Sequence, residues 1–326
     1  MWNSTVIDWL LEENNPSVRY FALTHLLGNP ETDCDVMQSK ENIMKTGLVP
    51  EILKNQHDDG TWEAPHRFYT AKYKGTVWQL IILAELGADG KNWRIKNACE
   101  FILKNSQHPE SGGFCSRSTP RGGNPERVSP CLTGNMVFSL IRLGYYNDVR
   151  VQKGIDWITT YQRFDDGIEK SPEGWPYHDH VCWGRHTCHM GVVKALKALS
   201  EIPLDKRTRK VDQTIQKGAE YLLIHHLYKR SHDLRRIAKP QWLRLGFPWM
   251  YNTDVLEMLG LLTRPGYKDH RLQEAVDVLA SKQDSEGKWL LQNTYNGKYQ
   301  VDIEQKGKQS KWITLHALKV LKRFYS

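Results

Sequence analysis

The stretches QHDDGTW at 56–62 and QDSEGKW at 283–289 carry Gln, Gly and Trp at the same spacing. Two looser copies lie between them, QHPESGGF at 107–114 and QRFDDG at 162–167. Each copy follows one apolar segment of helical spacing and precedes another. The segments predict helix pairs over 47–55 and 76–87, 95–106 and 132–144, 151–161 and 189–199, and 271–282 and 312–324. The glutamines stand 51, 55 and 121 residues apart. The last interval spans two units, because the fourth carries HHLYKR at 225–230 in place of the pattern.

Repetition at this period means stacked helical units. In each loop the Gly supplies a positive φ at the helix stop, and the Asp or Ser before it serves loop amides. The aromatic after Gly is expected to pack under the loop, and the Gln to tie helix end to loop. No strand of consequence is expected. Upstream, helices broken at Asn14-Asn15-Pro16 are expected over 6–28, since Pro after Asn starts helices well.

Composition bounds the rest. Forty per cent hydrophobic and ten per cent aromatic residues suffice for a core. A mean hydropathy of −0.60 and the lack of a long apolar run predict no membrane span. The N-terminus lacks the pattern of a secretory signal, so a cytoplasmic setting is expected. Six Cys in 326 residues do not form a disulfide scaffold. The net charge of +8 is concentrated in residues 205–244, where eleven Lys and Arg face four acids. That favours a local anion site over general nucleic-acid binding, for which no recognition module is seen.

The two complete stretches resemble the Gln-Trp repeat of the terpenoid cyclase and protein prenyltransferase superfamily, and the flanking helices resemble its units. The resemblance covers roughly residues 40–326 and implies an all-α, α/α-toroid fold of five to six helix pairs. Residues 1–326 would then form one domain, with 1–45 adding a helical pair to the ring. The starts of the inner helices would gather at one mouth of a central cavity.

Aligning the units places those starts at 74–77, 131–134, 186–189, 249–253 and 309–312. Cys131, His186 and Cys188 then fall at equivalent positions, with Cys115 and Cys182 in the loops just before. Residues 171–197 hold four of the 13 His and two of the six Cys. Zinc takes Cys and His ligands, and helix starts favour thiolate. The expected zinc set is Cys131, Cys182 and His186, with Cys115 or Cys188 as fourth, while Cys34 and Cys99 are read as core. His186 matches the family's ligand His at an inner-helix start, but the family's Asp-x-Cys is replaced by Asp179-His-Val-Cys182. The Asp-x-Asp-Asp acid pattern of one cyclase class is absent.

Asp179 and His180 are acid–base candidates, and Cys188 a nucleophile candidate. Trp78, Trp183, Trp249, Asn252, Asp254 and Trp312 are expected to line the cavity, although Asp254 and Asn252 could equally cap a helix. Arg230, Arg235, Arg236 and Lys239 are expected to hold an anionic group. The function so implied is an enzyme acting in the cavity on an apolar, isoprenoid-like small molecule with an anionic head. The alternatives are a metal-dependent lyase or hydrolase on the same scaffold, or a toroid that binds a protein or peptide without catalysis.

Overall fold

The structure, a computed structural model, describes residues 4–167, 187–264, 266 and 268–326. It is mostly helical. Its first helices are α1 (Ser4–Leu10), α2 (Pro16–Phe21, continued by a π turn at Ala22–Leu27), α3 (Cys34–Ile43) and α4 (Leu48–Lys54). Then come α5 (Thr76–Glu85), α6 (Trp93–Asn105), α7 (Pro130–Leu140, continued by a π turn at Ile141–Tyr145) and α8 (Val149–Tyr161). The rest are α9 (His189–Ser200), α10 (Arg209–Ile224), α11 (Val255–Thr263), α12 (Gln273–Ala280) and α13 (Lys311–Tyr325). No described helix is long and apolar enough to cross a membrane.

Burial sorts the helices into two kinds. Every residue of α5 is buried, as are all but two of α9, so these helices must be surrounded by protein on all sides. In α10 only one face is buried, with Val211, Ile215, Ala219 and Leu222 at helical spacing. The more deeply buried helices touch in sequence: α5 meets α7, α7 meets α9, α9 meets α11 and α11 meets α13, and α13 returns to α2. Gly87, just past α5, lies against Phe21 of α2.

The Gln stretches explain how one unit is joined to the next. Gln56 Nε2 donates to the carbonyl of Gly60 in its own loop (3.1 Å) and to that of Arg94 at the start of α6 (2.9 Å). Gln107 repeats this with Gly112 (2.9 Å) and Arg150 of α8 (2.7 Å). Trp62 and Trp289 each donate from Nε1 to a carbonyl ten residues earlier, of Ile52 (2.7 Å) and Leu279 (2.8 Å). Gly60 and Gly287 take φ of +85° and +84°, as a helix stop of this kind requires. The third copy departs from the pattern, because among the described residues Gln162 Nε2 reaches only the Arg163 carbonyl.

Helices α7 and α9 approach most closely at Gly134. A Cβ built there would lie 2.4 Å from the Lys194 carbonyl carbon, which is backbone and cannot swing aside. Gly134→Ala is therefore expected to push the two helices apart and to cost about 1–3 kcal/mol. A denaturant titration checks it, and an unchanged midpoint would contradict the close packing.

Two expectations are corrected. Helix α3 was not foreseen, and its Cys34 is exposed rather than core. As expected, strands are minor, two short antiparallel ribbons: Ser118–Thr119 (β1) with Gly122–Gly123 (β2), and Lys229–Arg230 (β3) with Asp233–Ile237 (β4). The fifth inner helix starts at Val255, because residues 246–254 form an irregular approach capped by Asp254.

Candidate functional site

At the starts of the buried helices, the expected mouth, aromatic rings pack on one another. Tyr73 stacks on Tyr295 at 4.0 Å, Trp78 lies 5.5 Å from Tyr73 and 6.0 Å from Tyr251, and Phe247 stacks on Trp312 at 4.2 Å. Trp78 Nε1 donates to the Tyr69 carbonyl. Trp249 lies 4.6 Å from the His316 ring. Trp249, Asn252 and Asp254 border a void of only about 20 Å³, room for roughly one water. Asn252 donates to the Tyr295 hydroxyl at 2.6 Å. Burial pushes Asp254 up to about 7, yet its carboxyl accepts from the Glu257 and Gly246 amides, both at 2.8 Å. It caps α11, and among the described residues these rings pack on one another.

The cysteines and histidines separate. Cys115 is fully buried, and burial pushes its thiol up to about 12, which opposes a thiolate ligand. Cys131 and Cys188 are half-buried at the starts of α7 and α9. Cys182, His186, Asp179, His180 and Trp183 lie outside the described residues. Among the described residues no group of three or more His, Cys, Asp or Glu side chains converges as a metal site would require.

A cluster that the sequence did not suggest lies beside the start of α9. His189 stacks on Trp242 at 4.4 Å, and burial followed by the neighbouring His225 pushes it down to about 3, so it stays neutral. His225 meets the Tyr221 carbonyl through Nδ1 (2.7 Å) and Asp166 through Nε2 (3.1 Å). Asp166 belongs to the degenerate third loop and His225 to the unit without the Gln pattern, so only the fold brings them together.

Most lysines and arginines of the basic stretch are exposed. Arg230, Arg235 and Arg236 stand exposed on the β3–β4 hairpin, Arg235 paired with Asp233 at 3.1 Å, and Lys239 is exposed 5.5 Å from the Trp242 ring.

Between the ends, four charges lie inside the packed helices. Lys194 Nζ binds both oxygens of Glu257 at 2.7 Å, and Lys197 contacts Glu257 at 3.2 Å and also Glu85. All four are buried. Against their own burial, Lys194 and Lys197 hold Glu257 below the usual carboxylate range.

The open space is at the opposite end, where the buried helices finish. A cleft of about 1730 Å³ runs between the α2–α3 pair and the ends of α5 and α7. Phe21, Met37, Met44, Ile141, Leu143 and Tyr146 contribute its apolar wall, and His25, Arg142 and Glu201 its inner edge. Met37 is 57% exposed there.

No known family model and no curated protein matches the chain. Among solved structures, a protein from Actinoplanes aligns with 88% of this chain and 100% of its own at 14% identity and a TM-score of 0.30. A variant of the type II terpene cyclase MstE from Scytonema, in complex with its substrate geranylgeranyl dihydroxybenzoate, aligns with 88% of this chain and 97% of its own at 12% identity and a TM-score of 0.30. A likeness of that degree carries no argument about fold or activity. The helical class rests on the structure itself.

Proposed function

We propose that the chain is an α/α-toroid that takes up an elongated, apolar, isoprenoid-sized small molecule in the cleft at the ends of its buried helices. The order of contacts from α5 through α13 back to α2 supports a closed ring. The observation that carries the binding reading is the cleft. Its roughly 1730 Å³ exceeds the ~300–1,000 Å³ of ordinary ligand sites. Its wall includes the exposed Met37, whose apolar surface an apolar occupant would cover.

The test uses a neutral chain, dodecanol, as probe in a fluorescence-displacement or calorimetric titration. Binding is expected, and Met37→Glu should weaken it about tenfold by placing charge on the apolar wall. Leu234→Glu, at an exposed apolar residue of the β3–β4 hairpin, should leave it unchanged. Dodecanol that does not bind, or that binds Met37→Glu equally well, would refute the proposal.

A further inference from the structure

Residues 230–244 carry five cations, Arg230, Arg235, Arg236, Lys239 and Arg244, against one acid, Asp233. All five are exposed. Arg235 is paired with Asp233, and Lys239 lies over the Trp242 ring. Among the described residues Arg230, Arg236 and Arg244 have no acidic partner.

A run of charge is ordinarily a solvated face. Two features set the β3–β4 ribbon apart from one. Leu234 and Ile237, which flank Arg235 and Arg236 in the chain, are themselves exposed, at 37% and 39%. The base of the ribbon is also held firmly. The Ala238 amide donates to the Tyr228 carbonyl at 2.8 Å, and Glu274 takes both the Tyr228 hydroxyl (3.0 Å) and the Lys229 ammonium (2.6 Å). Strand β4 runs five residues against two in β3, so Leu234, Arg235 and Arg236 have no paired residue on β3. Among the described residues no third strand lies beyond β4. The run Leu-Arg-Arg-Ile is thus presented outward on a fixed support, which lowers the ordering cost of binding.

We propose that this ribbon docks an extended acidic protein segment, one in which two carboxylate side chains lie between two apolar ones. The carboxylates meet Arg235 and Arg236, whose planar guanidinium forks match a carboxylate better than an ammonium does. The apolar side chains cover Leu234 and Ile237. The order apolar, acid, acid, apolar reads the same in both directions, so either chain direction satisfies the pairing. The surface lies on the hairpin and does not rest on the cleft reading above.

Other occupants match the ribbon less well. The Arg235 side chain is 93% exposed, so charge stands outermost and the apolar residues lie lower. Insertion into a lipid surface needs the reverse order. Single-stranded nucleic acid stacks on exposed aromatic rings, and Trp242, the one tryptophan of residues 230–244, is buried. A second copy of the ribbon would set arginine against arginine.

The test is a fluorescence-anisotropy titration of the full chain into the labelled hexapeptide Thr-Val-Glu-Glu-Val-Thr at low salt. Saturable binding is expected. The double change Arg235→Gln with Arg236→Gln should weaken it roughly tenfold or more. Leu234→Gln with Ile237→Gln should weaken it roughly severalfold, through lost apolar cover. Lys104→Gln, at an exposed lysine of α6, should leave it unchanged. All the substituted side chains are exposed, so these variants are expected to fold as the native chain does. The same residues reordered as Glu-Val-Thr-Thr-Val-Glu keep the charge and lose the order, and should bind roughly severalfold more weakly. No saturable binding, equal binding of the reordered peptide, or full binding by the arginine double variant would each overturn the proposal. Vesicles containing phosphatidylserine, or a DNA duplex, that bind through these arginines while the hexapeptide does not would overturn it in favour of that partner.

Discussion

Replacing Glu257 with alanine is expected to destabilise the fold by about 3–5 kcal/mol, because the change leaves buried lysines without their counter-charge. Lys194 is 0% exposed and binds both oxygens of Glu257, while among the described residues Lys197 keeps Glu85 as its one carboxylate once Glu257 is gone. The loss is larger than that of a surface pair, whose worth is about 0–1 kcal/mol, because neither lysine can turn to water. The double change Lys194→Met with Glu257→Leu removes charge and partner together and should recover most of the stability. Chemical denaturation of the three proteins checks this, and a single-mutant loss below about 1 kcal/mol would show that water reaches the network. The pH dependence has a definite sign. Glu257 is held below its unfolded value, so its contribution is full above the ordinary carboxylate range and is lost as pH falls through the depressed folded value.

Trp289→Ala should cost a comparable amount, about 3–5 kcal/mol, for a different reason. The indole is wholly buried between the last loop and α12, and its Nε1 donates to the Leu279 carbonyl. Truncation leaves a cavity under a loop that Gln283 fastens at the Gly287 carbonyl, so the loop cannot collapse inward freely. Trp289→Phe keeps most of the apolar contact and loses mainly the hydrogen bond, for about 1 kcal/mol. Denaturation midpoints in the order native, Phe, Ala are expected. Equal losses for Phe and Ala would mean that the hydrogen bond, rather than packing, fixes the loop.

The two residues differ in how visible they are before folding. Trp289 sits in a repeated pattern, and its role follows from the repeat: Gly at positive φ, Gln to a carbonyl, aromatic beneath. Glu257 sits in an apolar segment where an acid looks like an interruption. Nothing local reveals that lysines 60 and 63 positions earlier will meet it. The same contrast holds for the candidate site. The aromatic residues were legible as a group, since the units could be aligned. Whether they would line a space or fill it depends on Tyr295 and Tyr299, which come from an irregular segment outside the repeat and close on Tyr73.

Local chemistry in the chain was enough to determine the helical class, most helix boundaries, the turn glycines and the tie between each Gln and its own loop. Those features depend on groups within a few residues of one another, or on a pattern that recurs at fixed spacing. Only the tertiary structure decided where the described residues leave a cleft and which distant charges pair near it. Arg142 and Arg264 pair with Glu201, and Lys319 with His25, across nearly the whole length of the chain. Those pairings depend on helices running side by side. Charges dispersed along the chain are brought into pairs by packing, and three of the six arginines in the stretch that looked most basic, 205–244, stand on an exposed ribbon.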